Sequence, residues 1–392
     1  MKLLHQCGHC TTWNLAAFDQ DDCGDGLIFS PVHESRARLE ALPPEMRKVS
    51  FFDPQYYLPN SQKSKLHSYD FFPEVIAAGF STADYYLVAL KSARLCIEFQ
   101  VEQEYDRVVI PARYFSQMDP DYTEKQAAYT VLPFLKEAGR QKVKKPIYLT
   151  LPLTSHMIEN ATYRTTILNW VTSFPEIAGI YLIPDYARPT KQVLSKSFLD
   201  EMLKLLTEVQ EVGLKVTVGY SNTESLLYLL TGDIDITMGA FENTRMFSLD
   251  KFVESDEDRR GPKSRIYLPG LLNWIQFNEA KSLQSADAKL WAKVYRPTRF
   301  GDAALKQAME PTFNQPVLYR HYFIAFAEQV AALKKLTRLD RYNTIRSWLK
   351  NAISLNEAIS DIPIDFERHG RGDHLQQWLH VVNRYYTGHL KS

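Results

Sequence analysis

No stretch of this 392-residue chain reaches the ~20 consecutive apolar residues that a membrane-spanning helix needs, so no membrane association is expected. The amino terminus, MKLLHQCGHC, carries one lysine and too short an apolar run for a secretory signal. Cysteine is scarce: Cys7, Cys10, Cys23 and Cys96 make no secreted disulfide framework. A cytoplasmic, reducing location is expected. Net charge is missing too, because 46 basic and 46 acidic residues cancel. That removes bulk charge as a means of coating duplex nucleic acid and leaves only local basic patches. No Gly-x-Gly-x-x-Gly follows an apolar run, and there is no Walker loop, Gly-x-Ser-x-Gly elbow or His-Glu-x-x-His helix. Nucleotide-cofactor binding, α/β-hydrolase catalysis and zincin chemistry are therefore disfavoured, and no cofactor is expected.

What is present is a rhythm. With 45% hydrophobic and 12% aromatic residues the chain can bury a substantial core, and its length suits one large α/β barrel with additions or two domains. The clearest unit is GLKVTVGYSNTESLLYLLTGDIDITMGAFENTR, residues 213–245. A β-branched run, Lys215 to Val218, stops at Gly219. Ser221 to Glu224 then opens a helix carrying Leu226, Leu227, Leu229 and Leu230. Gly232 ends that helix, and Ile234, Ile236 and Met238 begin another strand, so the connection is a crossover between parallel strands.

The same alternation runs through the chain. Strands are expected near residues 3–6, 26–30, 49–53, 107–112, 146–151 and 179–183, and helices at 11–20, 34–47 (interrupted by Pro43 and Pro44), 85–103, 123–141, 160–173 and 195–212. With the unit above this makes eight strands up to Met238, the pattern of a (β/α)8 TIM-like barrel. A ninth candidate, Arg265 to Leu268, spoils the total. Proline follows the apolar run at Pro31, Pro54, Pro111, Pro152, Pro184 and Pro269, and each is expected to end its strand because proline cannot donate to a sheet ladder. Beyond about residue 271 the strand signal disappears and helical spacing takes over, near 271–283, 302–309, 319–336, 342–359 and 374–386. The expected organisation is a barrel over 1–270, with an aromatic-rich insertion near 56–80, and a helical C-terminal region over 271–392 packed on it.

In such barrels the working groups stand at the carboxyl ends of the strands. That rule selects Gln6 and His9, Ser30 and His33, Asp53 and Gln55, Arg113, Thr150 and Thr154, Asp185, Tyr186 and Arg188, Tyr220, Ser221 and Asn222, and Glu242, Asn243 and Arg245. Asp53, with apolar neighbours that would raise its pKa, is the expected proton-transfer group, and otherwise it starts an Asp-Pro turn. Asp185 is the second carboxylate, since glycosyl-bond chemistry uses two. Glu242 is a third catalytic candidate. Arg113 and Arg245, with Arg188 nearby, match the geometry of a phosphate or carboxylate. Alternatively, Glu242 and Arg245 pair with each other on one helical turn. Gln6, His9, Gln55, Tyr186, Tyr220, Asn222 and Asn243 complete the ligand-binding set.

Two further patterns carry a bland reading beside a sharp one. Cys7-x2-Cys10 has zinc-ligand spacing, with His5, His9 and Cys23 close by, but no second such pair follows, so buried thiols are expected rather than a metal. Lys334, Lys335, Arg338, Arg341, Arg346 and Lys350 are interleaved with apolar residues, as on a surface that meets nucleic acid or an acidic protein, or as on the solvated side of an amphipathic helix. The function expected from all this is acid–base hydrolysis or glycosyl (base) transfer on a small polar or phosphorylated ligand, expected to be anionic, such as a nucleotide or nucleic-acid base. The alternative is a barrel that no longer catalyses and acts as a recognition or assembly subunit, docking through residues 56–80 or the basic tail.

Overall fold

The computed structural model describes residues 1–73, 82–186, 188, 191–253 and 261–391, with only the backbone of residues 82–87. Eight strands form one sheet: β1 (Leu3–Gln6), β2 (Gly26–Phe29), β3 (Phe51–Phe52), β4 (Val108–Ile110), β5 (Ile147–Thr154), β6 (Ile177–Asp185), β7 (Lys215–Val218) and β8 (Asp235–Met238). Each coincides with or overlaps a run that the sequence marks. Their spatial order is β3-β2-β1-β8-β7-β6-β5-β4, and every neighbouring pair is parallel. Because β1 pairs with both β2 and β8, the sheet rolls into a (β/α)8 barrel. The short strands are buried along their whole length, as parallel strands must be when helices cover the outside and side chains fill the inside.

The roll is not fully laced. Among the described residues, β3 and β4 are joined by one main-chain hydrogen bond, from Asp106 N to Ser50 O at 2.9 Å. Rings replace the missing ladder: Phe52 packs on Phe99, Tyr69, Phe71 and Tyr105 with centroids 5.0–6.1 Å apart. The aromatic insertion is thus part of the barrel wall, with Tyr56, Tyr57, Tyr69, Phe71 and Phe72 buried. Its rings over residues 56–73 are packed into the wall and form no outward aromatic face, while Asn60, Gln62, Lys65 and Asp70 are exposed. The remainder of the insertion, 74–80, lies outside the described residues.

Helices on the outer face begin where side chains cap them. Asn160 Oδ1 accepts from Thr162 N and Tyr163 N at the start of Ala161–Thr172, and Ser195 Oγ accepts from Phe198 N at the start of Lys196–Glu211. The latter buries Phe198, Leu199, Met202, Leu203, Leu206 and Val209 against the sheet, the stripe that the 3.6-residue period requires.

Several expectations need correction. Pro152 and Pro184 do not end their strands. The β5 and β6 pair continues through them to Thr154↔Asp185, while β4 stops opposite Leu149 and β7 opposite Leu182. Leu182 O accepts from Gly219 N, so Pro184, two residues on, turns its missing N–H toward the side where β7 has already ended. The helix expected over 123–141 is Tyr122–Gln126, a π-helical turn at Ala127–Val131, and Leu132–Arg140. Pro133 can neither donate to the helix nor tolerate the carbonyl four residues back, and the wide turn relieves both problems.

The helix after β7 shrinks to one turn, Ser225–Tyr228. Leu226, Leu227, Leu229 and Leu230 are all buried, which leaves no solvated face for a longer amphipathic helix. The exposed ends of that turn are satisfied from afar: Arg341 donates to Leu229 O (3.2 Å) and Gly232 O (2.8 Å), and Arg338 to Leu230 O (3.1 Å).

The ninth candidate strand, β9 (Arg265–Leu268), lies outside the barrel and pairs antiparallel with β10 (Asn273–Gln276). The second strand of this hairpin escapes a periodicity reading because the helix Phe277–Ala286 follows it at once. A left-handed Leu272 (φ 50°) makes the turn between the two strands. Helices Ala288–Val294, which the sequence reading passes over, Arg299–Lys306, Val317–Lys334, Arg338–Ser360 and His374–His389 complete the chain. The main core runs unbroken from the barrel into Tyr322, Phe326, Leu349 and Trp378.

The basic run 334–350 is largely committed internally. Lys334 pairs with Asp25, Arg338 reaches Tyr385 OH (2.7 Å), Arg341 pairs with Asp233 (2.9 Å), and Arg346 bonds Asn383 (3.0 Å). Lys334 and Arg341, with Arg338 through Leu230 O, rivet the C-terminal helices to the barrel, and Arg346 ties two of those helices to each other. No helix among the described residues is long and apolar enough to cross a membrane.

Candidate functional site

The loop after β8 places the central residue of the site. A Cβ on Gly8 or Gly239 would collide with Thr244, so the two glycines let this side chain drop onto the barrel rim. Thr244 also donates its hydroxyl (2.6 Å) and its N–H (3.0 Å) to Phe241 O. With Thr244 held, Arg245 is directed away from the barrel axis into the junction with the C-terminal region. Its guanidinium stacks 4.0 Å from the Trp274 ring and 5.5 Å from that of Tyr322. Only 6% of Arg245 is exposed.

Here lies a cavity of about 230 Å³. The barrel contributes Arg188, Lys191, Asn222, Glu242, Arg245 and Met246, and the C-terminal region contributes Trp274 and His369. Arg188 pairs with the fully buried Glu224 (2.7 Å), which also accepts from Asn222 N (3.1 Å). Lys191 pairs with Glu242 across the cavity. Glu242 and Arg245 therefore do not pair with each other. Burial pushes the Arg245 pKa down, yet a guanidinium stays charged at any ordinary pH.

Several buried polar atoms of the residues that line this cavity have no hydrogen-bond partner among the described residues: Arg245 Nε and Nη1, Arg188 Nε, Trp274 Nε1, His369 Nδ1 and Asn222 Oδ1. Each buried orphan costs ~1–3 kcal/mol, more when charged. Mostly donors, clustered around one cavity with a cation that has no anionic partner among the described residues, they fit an anionic ligand.

A second cluster fills the barrel axis. Asp53 is fully buried. Its carboxylate accepts from Tyr57 OH at 2.9 and 2.8 Å and from Gln55 N at 3.1 Å. Burial raises its pKa, against the Tyr57 hydrogen bond and the nearby Lys251 charge. Burial likewise lowers Lys251, whose ammonium lies 3.6 Å from the Tyr220 ring centroid. Gln55 Nε2 donates to Tyr220 OH (3.2 Å), while Gln6 Oε1 accepts from Tyr181 OH (3.1 Å) and Tyr220 N (3.3 Å). Gln55 and Tyr220 both hold a left-handed backbone, φ 58° and 50°, which costs a non-glycine residue ~1–3 kcal/mol. Asp185, partly exposed, accepts from Tyr114 OH at 2.5 Å, and burial raises its pKa against that bond. The Asp53 and Asp185 systems meet at Phe247, whose ring touches Tyr57 (5.2 Å), Tyr114 (5.9 Å) and Tyr220 (5.5 Å).

The sequence-derived candidates therefore fall into two groups. Glu242, Asn222 and Arg245, with Arg188, line the cavity. Asp53, Gln55, Gln6 and Tyr220 converge on the axis, with Asp185 linked to them through Tyr114 and Phe247. Arg113 lies over Phe115 (5.1 Å) with its backbone held by Gln126, and Tyr186 stacks on Phe198 (4.4 Å). His9 and Asn243 are exposed, and His9 packs by its ring against Phe241. None of these four lines the cavity.

The residues that sequence reasoning missed are Lys191, Trp274, His369, Lys251, Tyr57 and Tyr114. Lys191 and Lys251 follow strands β6 and β8 and fall under the same rim rule. Trp274 and His369 come from a region that shows no strand signal. The cysteines sit apart: Cys7 and Cys23 are buried, Cys10 is half-buried, and His5 is bonded to Cys23 O (2.7 Å) and Asn14 (3.3 Å). Among the described residues no three His, Cys, Asp or Glu side chains stand together as a metal site. Set beside models of known protein families and beside curated proteins, the chain matches none.

Proposed function

We propose that this barrel is an enzyme of acid–base chemistry, hydrolysis or glycosyl transfer, acting on a small polar ligand that carries an anionic group, such as a nucleotide. The anion occupies the cavity between the carboxyl rim and the C-terminal region. The observation that carries this reading is the buried Arg245 guanidinium, which has no anionic partner among the described residues and has two unpartnered nitrogens. A cation is kept in such a place at a cost to folding, and a bound phosphate or carboxylate offsets that cost. Arg188, Lys191 and Trp274 supply further donors, and Asn222 accepts from a neutral part of the ligand.

Glu242 is the acid–base group of this proposal, because it shares the cavity with the anion site. Asp53 and Asp185 are assigned a supporting role: each is engaged by a tyrosine hydroxyl, and neither lines the cavity. The test is calorimetric titration of the full chain with inorganic phosphate and nucleoside monophosphates, followed by turnover assays on nucleosides and glycosides. Binding that Arg245→Met abolishes, with turnover that Glu242→Gln abolishes, supports the reading. Absence of any anion binding at millimolar concentrations defeats it.

One observation favours the non-catalytic alternative. Asp53 is fully buried with both carboxylate oxygens held by Tyr57 OH, so the barrel axis adds no free acid–base group and Glu242 stands alone as one in the cavity. On that reading the cavity recognises an anionic group without transforming it, and Glu242→Gln alters binding alone.

A further inference from the structure

Three cations around the cavity already have carboxylate partners: Arg188 with Glu224, Arg265 with Glu367, and Lys191 with Glu242. They are not equally committed. Glu224 is fully buried and is also held by Asn222 N, and Glu367 accepts from Gln276 as well (2.5 Å). Glu242 differs, since its side chain is 41% exposed. An exposed pair of this kind is worth ~0–1 kcal/mol, so of the three it is the easiest to open. Burial first, and then the guanidiniums of Arg265 and Arg245, push the Lys191 pKa below the ordinary lysine range.

A carboxylate monoanion would be matched by Arg245 alone and would leave Arg188 Nε and Trp274 Nε1 without acceptors. A phosphomonoester presents three terminal oxygens and close to two charges, and so asks for a second cation and more donors. We infer that the cavity takes a small hydroxylated phosphomonoester, and that its arrival draws Lys191 away from Glu242, leaving that carboxylate a free base only when the site is loaded. The inference rests on the anion-binding reading above and adds to it the ligand's class and a trigger. The cavity volume of about 230 Å³ limits the enclosed part to a phosphate and a few carbons, below the ~300–1,000 Å³ of pockets that enclose drug-sized ligands. Asn222 Oδ1, unpartnered and beside the same cavity, accepts from a hydroxyl next to the phosphate.

If the anion competes with Glu242 for Lys191, removing the charge of Glu242 must strengthen binding. Glycerol 3-phosphate, inorganic phosphate and glycolate are titrated calorimetrically into the full chain and into Glu242→Gln, Lys191→Met and Arg245→Met. The expected result is phosphate-ester binding that E242Q tightens roughly three- to fivefold, that K191M weakens, and that R245M abolishes, with glycolate at least about tenfold weaker than glycerol 3-phosphate. Phosphate binding that E242Q leaves unchanged or weakens overturns the trigger, and glycolate binding as tight as the ester overturns the ligand class. Either result leaves the anion site itself standing. If none of the three anions binds the wild-type chain, the underlying reading falls as well. The exposure of Glu242 keeps E242Q from failing through misfolding.

Discussion

Arg245→Met separates a functional cation from a structural one, because the two roles predict opposite changes in stability. Methionine keeps most of the apolar stem of the side chain and can pack on Trp274 and Tyr322, while the charge disappears. The buried charge costs the empty protein several kcal/mol, of which the two rings return about 2 kcal/mol. The variant is therefore expected to be more stable than the wild type by ~1–4 kcal/mol. At an unfolding entropy of ~2.1 cal/mol/K per residue, a chain of this length converts that gain into a Tm rise of roughly 1–5 °C. Phosphate should act in the other direction. At a hundred times its Kd it adds ~2.7 kcal/mol to the wild type, about 3 °C, and nothing to the variant. Differential scanning fluorimetry with and without phosphate reads both effects in one experiment. A variant that melts several degrees below the wild type, with its response to phosphate intact, would show that Arg245 serves the fold, and the argument from its orphaned nitrogens would fail.

Other expectations follow from the same coordinates. Asp53→Asn removes the charge that holds Lys251 up, so the pH at which Lys251 begins to react with trinitrobenzenesulfonate, followed by peptide mass mapping, should move further down; an upward move or none contradicts the coupling. Arg341→Met leaves the carbonyls of Leu229 and Gly232 without this donor and the Asp233 carboxylate without its cation, and should cost ~2–4 kcal/mol in urea unfolding, with a loss below ~0.5 kcal/mol as the contrary result. His5, His321 and His374 are buried and neutral, with pKa values pushed down by burial to about 4, 4 and 3. The unfolded chain takes up their protons below ~6.5 and the native one does not, so each removes ~1.4 kcal/mol of stability per pH unit as the pH falls from there to its native value. Asp53, raised by burial, opposes one of the three over part of that range. The unfolding free energy should thus drop between pH 6.5 and 4, and His374→Phe should flatten the slope. A level profile would refute this.

Much of the barrel was legible because parallel strands are apolar on both faces and glycine or proline often punctuates them. The rule failed where a proline lay beyond its neighbour's end, as at Pro184, since a ladder position with no acceptor opposite asks nothing of the residue there. The leucines of residues 226–230 have helical spacing, although their burial on all sides is what a single packed turn looks like. Half of the candidate site could be reached by the rim rule, through Arg188, Asn222, Glu242 and Arg245. Lys191 and Met246 stand under the same rule without being singled out by it, whereas Trp274 and His369 lie beyond its reach, because Trp274 belongs to a hairpin strand that merges without a break into a helix, and His369 to a short connection with no periodicity. The basic run misled in a different way. Charge along a helix shows that something polar faces it, and here that is the barrel's own carbonyls and Asp233.

The seam between β3 and β4 has a thermal consequence. Seven of the eight joints around the cylinder are laced by main-chain ladders, whereas this one is closed chiefly by the rings of Phe52, Tyr69, Phe71, Phe99 and Tyr105. Apolar attraction fades on cooling and hydrogen bonding does not. Chilling should therefore unzip the barrel at this one stave, and the amide of Phe52, which faces the seam, should be the first in the sheet to exchange with solvent near the freezing point.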